Sequence, residues 1–178
     1  GLVGSEMCIR DRTISRIFIG LIIFIFLMLD SFLLFALILF IFAGLSDFLD
    51  GYLARRYKAK SQIGEIIDPI ADKILIVFLF FGLSINLSSY IIGFAGALII
   101  SREIWVSALR DFNARSNNLK ATKVTFLAKI KTSVQLFTLS IYLFALALDY
   151  MLLIILADIF AVISALITLY TGYLYTLN

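Results

Sequence analysis

Six long apolar runs constrain this chain more than any other feature of its sequence. Each is close to the roughly 20 residues that an α-helix needs to cross a bilayer. With 62% hydrophobic residues, the chain carries more apolar surface than a soluble core of its own could bury. We therefore predict an all-α fold, an integral membrane bundle of six transmembrane helices. These helices are expected over residues 15–30, 32–53, 66–86, 89–110, 128–148 and 150–174.

The first twelve residues differ in character from the rest of the chain. The string GLVGSEMCIRDR lacks the apolar periodicity of the later residues and resembles translated sequencing-adapter sequence. A short polar cytoplasmic tail is the alternative interpretation. We interpret residues 1–12 as a leader that is non-native or disordered, and residues 13–178 as one membrane domain.

The placement of the basic residues predicts the orientation of the bundle. All 15 lysines and arginines lie in or next to the segments that face one side. The loops on the other side offer only Asp30 and Asp149. Because Lys and Arg are enriched in cytoplasmic loops, the pattern predicts a multi-pass protein of the inner (cell) membrane. Both chain termini are then cytoplasmic.

The composition also restricts the chemistry. Histidine is absent and Cys8 is the sole cysteine. This composition excludes a disulfide or a thiolate metal site within one chain, a zinc site built on imidazole, and a phosphohistidine intermediate. Any bound metal must be a hard cation held by oxygen ligands.

Four aspartates have the spacing expected of such a site. Asp47 and Asp50 are separated by i,i+3 on one helix, and Asp68 and Asp72 by i,i+4 on the next, so each pair shares a helix face. The two helices run in opposite directions and bring both pairs to the same membrane depth. Four carboxylates near lipid are costly without positive charge, and two divalent cations would balance them. The alternative is a set of interfacial aspartates at helix ends.

These aspartates belong to a longer pattern with eight fixed positions. It reads Asp47-x-x-Asp50-Gly51-x-x-Ala54-Arg55, eight residues, then Gly64-x-x-x-Asp68-x-x-x-Asp72. In this pattern the chain resembles the CDP-alcohol phosphatidyltransferase family. The resemblance implies transfer of a phosphatidyl group from CDP-diacylglycerol to an alcohol, with release of CMP, and a homodimer in the lipid bilayer.

The resemblance also implies a role for each position of the pattern. Two Mg²⁺ or Mn²⁺ ions would be held by Asp47, Asp50, Asp68 and Asp72, and Asp72 would also be the catalytic general base. The CDP group would be bound by Gly51, Ala54, Arg55 and Gly64.

The flanking sequence resembles the branch of the family whose acceptor is sn-glycerol 3-phosphate. The stretches that carry this resemblance include Leu53-Ala54-Arg55-Arg56, Asp68-Pro69-Ile70-Ala71-Asp72-Lys73, Arg102-Glu103-Ile104, Ser107-Ala108-Leu109-Arg110, Lys129-x-Lys131-Thr132 and Thr13-x-x-Arg16. The acceptor phosphate needs a basic pocket of its own, for which we predict Arg110 and Lys131 with Arg56 behind them. Alternatively, these three basic residues only determine the membrane topology and bind no acceptor. Arg102 and Glu103 lie about two turns inside the fourth helix, where they could pair with each other.

Three other interpretations stay open. A sibling enzyme would use another acceptor, such as phosphatidylglycerol, serine or inositol phosphate. A small cation channel or transporter would line its path with the aspartates, but the acidic residues gather on one side and the outer loops offer no matching polar entry. A membrane scaffold without catalysis leaves the eight-position pattern unexplained. Nothing in the sequence indicates a nucleic acid as a partner.

Overall fold

The structure of the protein is a computed structural model, and it describes residues 2–57, 62–115 and 126–177. These residues form six α-helices and one short 3₁₀ helix, Asp30–Phe32. The α-helices are α1 (Leu2–Met28), α2 (Leu33–Tyr57), α3 (Gln62–Asn86), α4 (Tyr90–Arg115), α5 (Phe126–Leu148) and α6 (Met151–Leu177). The predicted all-α bundle of six helices is confirmed. Because α1 begins at Leu2, most of the predicted leader is helical, and its non-native origin stays a prediction.

Length and composition make three helices of the described part suitable for crossing a membrane. They are α4 over Tyr90–Asn113, α5 over Ile130–Leu148 and α6 over Met151–Leu177. Shorter apolar stretches lie in the other three helices, at Ser15–Met28, Asp30–Ser46 and Lys73–Asn86. Many large apolar side chains point outward from the bundle, including Phe42, Phe94 and Leu166. Such an exterior is compatible with lipid as the solvent.

Three tight connections close one end of the bundle, which we call the outer end. The first is the 3₁₀ helix between α1 and α2, and the other two join α3 to α4 and α5 to α6. Asn86 Nδ2 donates to the Leu27 carbonyl at 2.8 Å and to Asp30 Oδ1 at 2.9 Å, which ties the first connection to the second. Ser88 and Asp149 adopt left-handed φ values of 47° and 52° in the last two connections. The opposite, inner end therefore holds the end of α2, the start of α3, the end of α4 and the start of α5.

Close helix packing holds the bundle together. Helix α1 packs on α2 and α3, α4 packs on α3 and α6, and α5 packs on α2 and α6. A Cβ atom added at Gly82 would lie 2.7 Å from Leu27 Cδ1, and one at Gly96 would lie 2.9 Å from Phe80 Cβ. Small residues at these contacts let the helix backbones approach, as is usual in membrane proteins. This packing brings α3, α4, α5 and α6 together around the candidate site.

Candidate functional site

The four predicted metal ligands lie on the two helices that meet at the inner end. Asp47 and Asp50 lie ten and seven residues before the last residue of α2, and Asp68 and Asp72 lie six and ten residues after the first residue of α3. At about 1.5 Å of rise per residue, both pairs occupy a zone roughly 9 to 15 Å from their helix ends. The two pairs therefore match in depth along their helices. Their side chains lie outside the described part of the structure, so the metal site stays a prediction.

The remaining positions of the family pattern lie on the same two helices. Gly51, Ala54, Arg55 and Arg56 belong to the last turns of α2, and Gly64 belongs to the first turn of α3. The contacts of these residues also lie outside the described part. The predicted CDP contacts and the predicted role of Arg56 at the acceptor phosphate are therefore untested.

A cavity of about 550 Å³ lies beside the aspartate pattern, between α3, α4 and α5. Its α3 wall includes Lys73, the residue that follows Asp72, and its α4 wall includes Glu103, Ser107 and Arg110, which share one helix face at i, i+4 and i+7. The remaining walls are mainly aliphatic. The polar lining residues are Lys73, Arg102, Glu103, Ser107, Arg110, Lys131, Thr132 and Gln135. Apolar walls with a few converging polar groups are typical of a small-ligand site.

Glu103 lies at the centre of the charged groups of this cavity. Its Oε1 accepts hydrogen bonds from Arg102 Nη1 at 3.1 Å and from Lys131 Nζ. Its Oε2 lies 3.9 Å from Lys73 Nζ, which also donates to Ser107 Oγ. One carboxylate thus contacts cations from α3, α4 and α5. The predicted pairing of Arg102 with Glu103 is confirmed, and two lysines join it.

Helix α6 holds the Arg102 side chain from behind. Arg102 Nη2 donates to Thr171 Oγ1 at 2.9 Å, and the side chain of Arg102 is only 4% exposed. A Cβ atom on Gly172 would lie 2.8 Å from Arg102 Cγ, so the glycine leaves the space that the arginine fills. Arg102 Nε is buried and has no hydrogen-bond partner among the described residues. The guanidinium is therefore fixed by α6 on one side and by Glu103 on the other.

Arg110 is held by the same helix one turn further along. Its Nη2 donates to the Tyr175 hydroxyl at 2.8 Å, and its guanidinium carbon lies 4.8 Å from the centre of the Tyr175 ring. This distance is within the range of a cation–π contact. Tyr175 itself is buried. The aromatic ring thus restricts the orientation of the guanidinium beside the cavity.

The structure brings two of the three predicted acceptor residues, Arg110 and Lys131, to one cavity. It adds Lys73 and Arg102, which the sequence had not assigned to the acceptor. A sequence signal existed for Arg102, because a charged residue well inside an apolar helix must have a buried partner. Among the described residues, four cations and one carboxylate line the cavity and leave a formal surplus of three positive charges. Such a surplus suits a multiply charged anion, particularly a phosphate.

Asp158 on α6 has a partner away from this cavity. Its Oδ1 accepts a hydrogen bond from the Tyr142 hydroxyl at 2.6 Å. The Tyr142 side chain is fully buried between α5 and α6. The pair satisfies a polar group in the apolar interior and links the two helices.

Fold and site together define a class of protein. The sequence model of the CDP-alcohol phosphatidyltransferase family matches residues 12–173, and the chain belongs to this family. The resemblance drawn from the eight-position pattern is thereby confirmed.

Within the family, the chain is similar to curated proteins named CDP-diacylglycerol–glycerol-3-phosphate 3-phosphatidyltransferase. The protein of this name from Cereibacter sphaeroides is 39% identical over 127 residues, which cover 66% of this chain and 52% of the relative. The one from Pectobacterium atrosepticum is 34% identical over 102 residues, and the one from Sodalis glossinidius 33% over 102 residues. Both alignments cover 57% of this chain and 56% of the relative. The chain thus spans about half the length of the curated relatives it matches.

Proposed function

We propose that the protein transfers the phosphatidyl group of CDP-diacylglycerol to sn-glycerol 3-phosphate, with release of CMP and formation of phosphatidylglycerophosphate. The observation that carries the proposal is the basic cavity next to the aspartate pattern. A phosphate-bearing acceptor needs a cationic site separate from the one that binds the CDP pyrophosphate. The names of the similar curated proteins support the same acceptor. A neutral or zwitterionic acceptor would not require the surplus of positive charge.

The aspartate pattern supplies the catalytic groups in this proposal. The donor set of Asp47, Asp50, Asp68 and Asp72 consists of carboxylate oxygens only, which fits two Mg²⁺ or Mn²⁺ ions. When bound, such ions neutralise the pyrophosphate charge and stabilise the leaving phosphate. Gly51 and Gly64, which lack side chains, would allow the nucleotide to approach the helix backbones, with Ala54 and Arg55 beside it.

The bond changes follow from these roles. Asp72 accepts the proton of the acceptor hydroxyl, and the hydroxyl oxygen attacks the phosphorus that carries the diacylglycerol. A new phosphorus–oxygen bond forms, and the bond between this phosphorus and the oxygen of the CMP phosphate breaks. CMP leaves with the bonding electron pair, and the proton remains on Asp72 until it is lost to solvent.

The cavity residues bind and orient the acceptor. Arg110 and Lys131 contact its phosphate, with Arg56 behind them, so that the free hydroxyl at the other end of the molecule points toward Asp72. The Arg110 guanidinium can donate hydrogen bonds in fixed directions, whereas the Lys131 ammonium group acts on the phosphate as a point charge. Tyr175 keeps Arg110 oriented while the cavity is empty of acceptor.

The proposal includes a location in the cell. We place the bundle in the inner membrane with the active site and both termini on the cytoplasmic side, because all 15 basic residues lie in or next to the segments assigned to that side. The water-soluble acceptor and the CMP product would then be exchanged with the cytoplasm. A homodimer is part of the proposal through the family resemblance.

The test is an acceptor panel with a single readout. Purified protein is incubated with CDP-diacylglycerol vesicles, a divalent metal and one acceptor at a time, and CMP release is measured. We expect release with sn-glycerol 3-phosphate and far less with glycerol, which has a third hydroxyl in place of the phosphate. An Asp47→Asn variant gives the background rate. Release with serine or phosphatidylglycerol but not with glycerol 3-phosphate would refute the proposed acceptor.

A further inference from the structure

The Glu103 carboxylate contacts three of the four cations that line the cavity among the described residues. It contacts Lys131 and Arg102 through Oε1 and approaches Lys73 through Oε2. The side chains of Lys131 and Arg102 are 8% and 4% exposed, whereas that of Glu103 is 20% exposed. The carboxylate is therefore the more accessible partner, and all three side chains belong to residues that line the cavity.

Electrostatics explains why an anion is needed at this position. Buried cations without a counter-charge are strongly unfavourable, and Glu103 is the sole carboxylate among the described residues that line the cavity. A carboxylate and a phosphate present the same kind of oxygen acceptor to Lys and Arg. An entering phosphate must therefore either share the cations with Glu103 or replace it, and in both cases it meets a like charge.

We propose that Glu103 competes with the acceptor phosphate for Lys131. It holds the cations in place when no acceptor is bound and raises the cost of binding any anion there. Inorganic phosphate has only its charge to offset that cost. An acceptor meets the same cost, but it also presents a hydroxyl to the catalytic aspartate and gains further contacts that offset it. This inference rests on the proposed function, since it assigns the cavity to the phosphate of the acceptor.

The central test replaces Glu103 with its neutral isostere. In Glu103→Gln, we expect inorganic phosphate to inhibit CMP release with an inhibition constant lowered by about tenfold or more, because a like charge a few ångströms away is removed from a partly buried site. Binding of inorganic phosphate alone is measured in parallel by the shift of the thermal unfolding midpoint in detergent, without CDP-diacylglycerol.

Helix α4 offers a matched control. Asp111 pairs with Arg115 at 2.8 Å on an exposed part of the same helix, so Asp111→Asn removes one negative charge outside the cavity. It should leave the inhibition by phosphate unchanged. If Glu103→Gln does not fold, Glu103→Asp keeps the charge and shortens its reach to Lys131. The inhibition constant of inorganic phosphate for Glu103→Asp should then be lower than for the wild type, but by less than tenfold, because the negative charge is moved away rather than removed.

The outcomes separate this inference from the proposed function. Unchanged or weaker phosphate binding in Glu103→Gln, or in Glu103→Asp if only that variant folds, would overturn the competition and leave Glu103 a structural partner of the lysines. If the wild type ignored glycerol 3-phosphate while the variant still bound inorganic phosphate more tightly by thermal shift, the anion site would stand and the proposed acceptor would fail.

Discussion

Gly172 lies where the last turns of α6 cross the Arg102 side chain, and replacing it with alanine tests the packing behind the cavity. The added Cβ would lie 2.8 Å from Arg102 Cγ, 3.1 Å from Nε and 3.5 Å from Cδ. The first distance falls about 0.6 Å short of ordinary contact, which begins at 3.4 Å. The arginine cannot simply swing away, because its guanidinium donates to Glu103 and Thr171.

The expected cost follows from this geometry. Overpacking a well-packed interior costs about 1–3 kcal/mol, and we expect Gly172→Ala to fall in this range. For a chain of this length, each kcal/mol lowers the thermal unfolding midpoint by about 2–4 °C, so a loss of roughly 2–12 °C is expected. The midpoint is measured by intrinsic fluorescence of the purified protein in detergent.

Two further variants make the reasoning refutable. Gly44→Ala on α2 is the matched control, since nothing lies within 4 Å of a Cβ atom at that position. It should not lower the unfolding midpoint. In an Arg102→Ala background the clash is absent, so Gly172→Ala should then cost little, and the two substitutions should be non-additive. An equal loss of stability in both backgrounds, or no loss in the wild type, would show that the Arg102 side chain is not the reason why position 172 requires glycine.

Three other predictions concern the site and the topology. Arg110→Ala should raise the KM for glycerol 3-phosphate by roughly tenfold to more than a hundredfold, because one charge-assisted hydrogen bond to the acceptor phosphate is lost. The KM for CDP-diacylglycerol should stay nearly unchanged, and equal effects on both KM values would indicate general destabilisation. Asp68→Asn should lower metal-dependent CMP release by orders of magnitude in a protein that still inserts, and near-normal turnover would contradict the two-metal site. Single cysteines at Ser61, which lies outside the described residues, and at Ser88 in a Cys8→Ser background should be labelled from opposite sides of intact cells. External labelling at Ser61 would reverse the proposed orientation.

Much of the fold could be predicted from the sequence because a membrane restricts the choices so strongly. Backbone groups in lipid must be satisfied within a helix, so each apolar run predicts a helix and each short polar break predicts a turn. The positions of the helix ends were predicted less accurately than the number of helices. Helix α2 ends at Tyr57 rather than at residue 53, α3 begins at Gln62 rather than at 66, and α4 ends at Arg115 rather than at 110. Hydropathy detects the apolar part of a helix, and these helices continue past it at the inner end.

The sequence by itself determined the family and the aspartate pattern, because those residues are spaced within two consecutive helices and their periodicity is local. Only the tertiary structure decided how the cavity is built. Arg102 contacts Thr171 across 69 positions and Arg110 contacts Tyr175 across 65. A buried charge in a sequence shows that a partner must exist, since leaving it unpaired is too costly, but which partner depends on which helices pack together. The packing of α4 against α6 settles that choice for both arginines, and the packing around α3, α4 and α5 brings Lys73 and Lys131 to Glu103.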